Sequence, residues 1–432
     1  MRHFINGRFR QQFTFLSRQF LQDNTLPLSN VLSKDVVAEV LKDTECSWVD
    51  RIYSPLVTFW VFLVQVLSAD HSCRWAVSRL IVQRISQGQD ACSAETGAYC
   101  RARKRLPEKL FSEVARKTGQ ELDANTREDW LWKDRPVYAF DGTTVIMPDT
   151  PENQKAYPQA DTQKPGLGFP MARIVAIFSL SCGAVVDLAI GRYAGKAQGE
   201  SSLFRTIWDV FRPGDIVLTD ALLCTWAEIL LLKQRGVDFV GQLHVLLEVR
   251  ECCISIQQPG FRSKTIVVVT TLLDAVEFTK EDIAELYFRR WNVELDLRSL
   301  KTVMQMDMLR CKTPELVRKE IWTHILAYNL IRTIMAQAAT KHAIHPRSIS
   351  FKGTIQSLEA FRQLIAFSCE HDDVRRKHIY ENLLNAVATH RVGDRPGRFE
   401  PRQIKRRHGS YDWLTKPRQL AKLELLQGLK AK

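Results

Sequence analysis

The run Val137–Met147, VYAFDGTTVIM, decides how this chain is read. Apolar and polar side chains alternate along it with the period of a strand. Asp141 ends its apolar part and is followed by Gly142. Two further strands are expected downstream, ARIVAIFSLS (Ala172–Ser181) and AVVDLAIGRY (Ala184–Tyr193). They flank Cys182 and Gly183, a tight hairpin signal. A helix follows from about Glu200 to Phe211. GDIVLTD (Gly214–Asp220) then reads as a short, apolar, buried strand ending on Asp220. A helix near 225–234 and the strands DFVGQLH (Asp238–His244) and VVVTTLL (Val267–Leu273) come next. TKEDIAELYFRRWNVELDLRSLKTVM (Thr279–Met304) closes the series as a helix, with Thr279 and Asp282 in capping-box spacing.

Three antiparallel strands, a helix, a strand, a helix, a strand and a closing helix is the order of a ribonuclease H-like α/β core, a mixed sheet with helices. The flanks are helical. Residues 1–125 hold periodic apolar segments near 35–42, 55–68, 74–85 and 95–105, with a turn-like stretch at Gln87–Asp90 before the basic RARKR (Arg101–Arg105). Two helices around a turn, the second basic, fit a DNA-reading helix-turn-helix and equally a bundle with a solvated basic face. Thr313 and Pro314 open a strong amphipathic run. From about Arg395 the tail turns basic, with Arg398, Arg402, Lys405, Arg406, Arg407, Lys416 and Arg418. The expected organisation is a helical DNA-binding region over 1–125, the catalytic core over 126–310, and a C-terminal helical region with a basic tail over 311–432.

The chain has 432 residues, enough for two or three domains, and a formal charge of +13, which suggests a polyanionic partner. The longest apolar run, Pro55–Leu67, is too short to span a bilayer and contains Gln65. Ser54 and Pro55 look like an N-cap and a first helical residue, so a buried helix is expected and no membrane. The N-terminus shows no cleavable signal pattern. The ten cysteines show no C-x-x-C spacing, so neither zinc nor a disulfide framework is indicated and a reducing cytoplasm fits.

Along the closing helix, Tyr287, Arg290, Glu294 and Lys301 sit at offsets of 3, 7 and 14 from the tyrosine and stack on one face of a regular helix. Arg, Lys and Tyr suit phosphate, whereas a carboxylate among them repels DNA unless a metal ion intervenes. A solvated face laced with ion pairs gives the same pattern. Asp141 and Asp220 each end an apolar strand, where a carboxylate is costly unless hydrogen-bonded, capping a helix or bound to a cation. The spacings, 220 − 141 = 79 and 294 − 220 = 74, let each acid arrive on its own element. Three clustered carboxylates take up protons unless divalent cations hold them ionised. Oxygen-only ligation favours Mg²⁺ or Mn²⁺, and two ions about 4 Å apart serve in-line phosphoryl displacement.

The blocks DGTTVIMPDT (Asp141–Thr150), GDIVLTDALLCTW (Gly214–Trp226) and YFRRWNVELDLRSLK (Tyr287–Lys301) together resemble the cut-and-paste DDE transposases of bacterial insertion sequences. The group is the fourth insertion-sequence family, whose signature Y-x2-R-x3-E-x6-K is matched at all four positions. The resemblance implies that Asp141, Asp220 and Glu294 form a catalytic, metal-binding triad holding two Mg²⁺ ions, with Mn²⁺ as a substitute. It implies that Tyr287, Arg290 and Lys301 contact phosphates. It also implies a homodimer on double-stranded DNA that holds the terminal inverted repeats, cuts, and joins strands into target DNA, in the bacterial cytoplasm at the nucleoid. Arg298, one turn beyond Glu294, is a further phosphate candidate, an ion pair with Glu294 being the alternative.

The sequence departs from the family at three places. The strand-rich insert between the second Asp and the Glu is short, as an internal deletion would leave it, and no Trp lies between Trp226 and Trp291. Ala221 and Gln242 stand where relatives often have Arg. Two alternatives stay open: a catalytically impaired relative that binds transposon ends, and a ribonuclease H-like nuclease without strand transfer. His244 and His324 read as structural, and the Gly-bearing segments KPGLGFP (Lys164–Pro170) and GKAQGES (Gly195–Ser201) lack the nucleotide-loop pattern.

Overall fold

The computed structural model describes residues 52–86, 88–220, 226–241, 248–255, 265–366 and 373–393, together with Val40 and a few positions between 416 and 427. Ala221, Gln242, His244, most of the segment 35–42 and the basic tail from Arg395 lie outside the described residues. Lys416 is described, and it pairs with Glu424.

Among residues 52–124, four helices precede the sheet. Helix α1 (Pro55–Leu67) begins where the Ser54 hydroxyl accepts from the Val57 N–H at 3.4 Å and Pro55 takes the first position. Its residues are buried almost all round, as in a core helix. Among the described residues no helix is long and apolar enough to cross a membrane. Helices α2 (Cys73–Ser86), α3 (Gly97–Arg105) and α4 (Glu108–Ala124) follow. In α3, Arg101, Lys104 and Arg105 are exposed while Arg103 is buried.

The sheet is built from β1 (Val137–Ile146), β2 (Met171–Ser179), β3 (Val185–Arg192), β4 (Ile216–Leu218), β5 (Asp238–Gly241), β6 (Arg250–Ser255) and β7 (Thr265–Thr270). Between them come α5 (Pro151–Ala156), α6 (Glu200–Phe204) and α7 (Trp226–Gln234). The spatial order is β3-β2-β1-β4-β5-β7-β6. β1, β2 and β3 are antiparallel neighbours, while β1, β4 and β5 run parallel. That is the ribonuclease H-like arrangement expected from the sequence. The β2–β3 hairpin turns at Gly183, whose φ of 81° suits a residue without a Cβ.

Two elements between β3 and β7 differ from expectation. The run around Cys252 is a strand: β6 pairs antiparallel with β7, which pairs with β5, so the short insert extends the sheet edge. Its alternation is clear in the burial, with Cys252 and Ile254 inside and Glu251, Cys253 and Ser255 exposed. The helix expected from Glu200 to Phe211 is one short helix, α6, followed by a 3₁₀ turn at Trp208–Val210.

Each face of the sheet has its own core. Ala139, Ala172, Ile174 and Leu218 face a large cluster shared with the later helices, and Tyr138, Phe140, Val175 and Val217 face Leu203, Phe204 and Phe211. Adjacent residues of one strand serve opposite cores, as a pleat requires. The later helices are α8 (Lys280–Arg289), α9 (Trp291–Arg298), α10 (Pro314–Lys341), α11 (Phe351–Ala366) and α12 (Asp373–Thr389). The capping box opening α8 is formed: the Thr279 hydroxyl accepts from the Asp282 N–H at 3.2 Å, and Asp282 accepts from the Thr279 N–H at 2.9 Å. The single regular helix expected over 279–304 is instead divided. It turns at Arg290 and widens into a π turn at Ser299–Val303. The π turn adds a residue to the repeat, so Lys301 is rotated away from a strict 3.6-residue stripe with Tyr287, Arg290 and Glu294.

Candidate active site

The site begins with strand register. β1 and β4 pair in parallel at Val137↔Ile216, Tyr138↔Val217 and Ala139↔Leu218. Carrying that offset two residues onward sets Asp141 beside Asp220, on strands spaced about 4.8 Å apart. The pleat points both acids to the side of Ala139 and Leu218. Ile283, Leu286, Tyr287, Val293 and Leu297 pack into the core on that same side. The helices carrying the signature therefore cover the sheet face from which both aspartates project.

Glu294 is exposed on α9, while Val293 and Leu297 on either side are buried. Burial pushes the Asp141 carboxyl from 3.8 up to about 6. The hydrogen bond from the Gly142 N–H (2.7 Å) and the charge of Arg290 oppose the rise, and the charges of Glu200 and Glu294 add to it. Asp141 thus feels Glu294 directly. Tyr287 is buried, and its hydroxyl is pushed up chiefly by burial. Arg290 pulls it down and Asp220 pushes it up. The Tyr287 hydroxyl thus feels both Arg290 and Asp220. The Arg290 guanidinium lies 5.7 Å from the Tyr287 ring centroid and 5.2 Å from that of Trp291. Its Nε is buried with no hydrogen-bond partner. A guanidinium N–H left unpaired in the protein is suited to an incoming anion.

The remaining signature residues lie farther along. Arg298 is exposed at the end of α9, and no ion pair joins it to Glu294 among the described residues. Lys301 is half-buried on the π turn. Structure thus brings Asp141, Asp220, Glu294, Tyr287 and Arg290 to one end of the sheet, with Arg298 and Lys301 beyond it.

Two neighbours were missed in the sequence. Glu200, at the start of α6, comes up beneath β1 from the opposite face. A Cβ on Gly142 would fall 2.3 Å from its carboxyl carbon, so a side chain there would push the Glu200 carboxyl aside. Arg173 of β2, opposite Thr144, lies 3.6 Å from Glu200. The available signals were the glycine after Asp141 and the Glu in GKAQGES, neither informative without the register.

Asp296, two residues past Glu294, points inward. It is 1% exposed and pairs with Arg332 of α10 and, at 2.6 Å, with Arg347. Arg347 also donates to the carbonyls of Leu180 (2.9 Å) and Ser179 (2.8 Å) at the β2–β3 turn. The Tyr328 hydroxyl accepts from Arg332 Nε and donates to the Gly183 carbonyl. This network fastens α9 to the hairpin and to α10, and so sets the orientation of the helix face that carries Glu294.

Among the described residues, no three His, Cys, Asp or Glu side chains stand close enough to hold a metal ion between them. The donor chemistry nevertheless fits a hard divalent cation. All three candidate ligands are carboxylates, and burial and like charge push Asp141 up to about 6, a rise that a bound cation would oppose.

Comparison with known proteins gives the class. Residues 132–330 match the family model described as Transposase DDE domain. The chain is 27% identical to transposase InsG for insertion sequence element IS4 of Escherichia coli (strain K12), with 59% of this chain and 64% of that protein covered. It is 31% identical to the transposase for insertion sequence element IS421 of Escherichia coli over 96 residues, 22% of this chain and 26% of that one. The chain thus spans less than two thirds of the length of these relatives. A cryo-EM structure of a piggyBac transposase synaptic complex with hairpin DNA aligns at a TM-score of 0.45 and 9% identity, covering 88% of this chain and 87% of that chain.

Proposed function

We propose that this chain is a DDE transposase that cleaves DNA at the ends of an insertion sequence and joins the freed 3′ ends to target DNA. The single observation that supports this best is the β1–β4 register, which sets Asp141 beside Asp220 under the helix bearing Glu294. In this reading Asp141, Asp220 and Glu294 hold two Mg²⁺ ions, for which Mn²⁺ substitutes. When bound, the ions supply activation of the attacking oxygen and neutralisation of the leaving one. Bound cations would hold Asp141 ionised against the burial and like charge that push it up. Arg290 and Tyr287 grip the phosphate next to the cut, and Arg298 and Lys301 extend that grip along the backbone. Residues 1–125 form the DNA-binding region, 126–310 the catalytic domain, and 311–432 the C-terminal region. The protein works as a homodimer on double-stranded DNA in the cytoplasm.

The test is Mg²⁺-dependent cleavage of DNA carrying the flanking terminal inverted repeats, by the full chain and by Glu294→Gln. The expected outcome is loss of cutting by at least about a hundredfold with DNA binding retained. Undiminished cutting by the variant overturns the assignment.

A further inference from the structure

Helices α1, α2 and α3 share a small polar cluster that the proposed chemistry does not use. Gln65 of α1 is its hub. The Gln65 amide N–H₂ donates to the His71 carbonyl at 2.8 Å and lies 3.7 Å from Cys73 Sγ. The Gln65 amide oxygen accepts from the Tyr99 hydroxyl at 2.8 Å and from Arg103 Nη1 at 3.1 Å. Cys73 opens α2 and Cys100 lies in the first turn of α3. Their sulfurs are 3.9 Å apart, and both residues are only half-buried.

Arg103 is the unusual member. It is 6% exposed and makes no ion pair with a carboxylate among the described residues. Its Nε has no hydrogen-bond partner, and its guanidinium lies over the rings of Phe62 (4.7 Å) and Tyr99 (5.2 Å). The field of buried Glu320 reaches it only from beyond ion-pair distance. A buried cation without a contacting anion is costly, and a thiolate is an anion this cluster can supply. The sulfurs behave accordingly. Cys100 is lowered to about 6, first by its hydrogen bond with Cys73 and then, against burial, by Arg103; Cys73 is pushed up, first by the same hydrogen bond.

We propose that Cys73 and Cys100 are a peroxide-sensitive thiol pair that closes reversibly to a disulfide. The Cys100 thiolate attacks one oxygen of hydrogen peroxide, the O–O bond breaks, and a sulfenic acid forms as hydroxide leaves and is protonated to water. The Cys73 sulfur then attacks the Cys100 sulfur, forming the S–S bond. The sulfenic hydroxyl leaves as a second water, carrying the Cys73 proton. Two thiols are oxidised and one peroxide is reduced to two waters. Closing the disulfide shortens the sulfur separation from 3.9 Å to roughly 2.05 Å. The bridge closes the loop between the two residues and fixes α3, with exposed Arg101, Lys104 and Arg105, against α2. Cys311, buried beside the same guanidinium, is the competing thiol.

The experiment treats the reduced full chain with a small excess of hydrogen peroxide, blocks residual thiols by alkylation, and maps peptides by mass spectrometry without reduction. The chain has ten cysteines, so the expected result is a drop from ten free thiols to eight. A Cys73–Cys100 linked peptide accompanies the drop, and dithiothreitol reverses it. In Cys73→Ser, Cys100 should be trapped as a sulfenic acid by dimedone. A Cys100–Cys311 link, oxidation to sulfinic acid without a link, or unchanged alkylation of Cys73 and Cys100 overturns the proposal. The mapping on the unsubstituted chain decides the matter even if the variant does not fold.

Discussion

The inner side of α9 around Asp296 and the sheet end around Asp141 both take a carboxylate out of water, under opposite conditions. Asp296 meets two guanidinium groups, and each arginine is further satisfied by Tyr328 or by backbone carbonyls. Asp141 meets one backbone N–H, while two further carboxylates raise it and a single arginine opposes them. A completed charge network fastens elements together. A carboxylate crowded by others and held above its ordinary range is one that a cation stabilises. The contrast separates two acids of one core by what each still lacks.

The largest expected effect comes from breaking the completed network. Asp296→Ala leaves Arg332 and Arg347 buried without their anion. It should cost about 3–5 kcal/mol in urea denaturation. A loss below about 1 kcal/mol would show that the network is not the fastening described. Asp141→Asn should move the other way. Its folded-state value of about 6 lies above the ordinary 3.8, so its favourable contribution is complete below about pH 4 and is lost as pH rises through about 6. Above that range the variant should be more stable than the parent by about 1–2 kcal/mol, after discounting for partial solvent access. Denaturation at a series of pH values checks this, and a destabilised variant at pH 7.5 contradicts it. Asp215, pushed up to about 6 chiefly by burial, retains a slope of the same sign in the variant. Millimolar Mg²⁺ should stabilise the parent and leave Asp141→Asn unmoved.

The smallest effect sharpens the same contrast. Gly142→Ala places a Cβ against the flexible Glu200 carboxyl, which swings aside at a cost below about 1 kcal/mol. With Glu200 displaced, one of the charges raising Asp141 is removed. The pH midpoint of the stability slope should therefore move down; an unmoved midpoint removes Glu200 from the account.

Much of this was legible in the sequence because it rests on local patterns. Alternation located β1, β2 and β3, Ser54 and Pro55 placed the start of α1, and Thr279 with Asp282 marked α8. The ends of apolar strands singled out Asp141 and Asp220 as candidates, and the signature spacing singled out Glu294 and Arg290. What stayed hidden was tertiary. β6 is too short and polar to declare itself until β7 lies beside it. The π turn at Ser299–Val303 has no composition of its own. Glu200 approaches Asp141 only because α6 folds across the other face of the sheet, and Asp296 looks like any helix acid until Arg332 and Arg347 arrive from downstream.

The parallel pairing of β1 with β4 has a consequence for how such a chain tolerates change. Backbone hydrogen bonds between two strands fix the aspartates against each other, and the 78 residues that separate them in the chain do not. The loops within that stretch can lengthen or shorten over generations, while β2, β3 and β4 inside it stay tied to the sheet. The distance between the two acids then stays constant as long as one short ladder is kept in step.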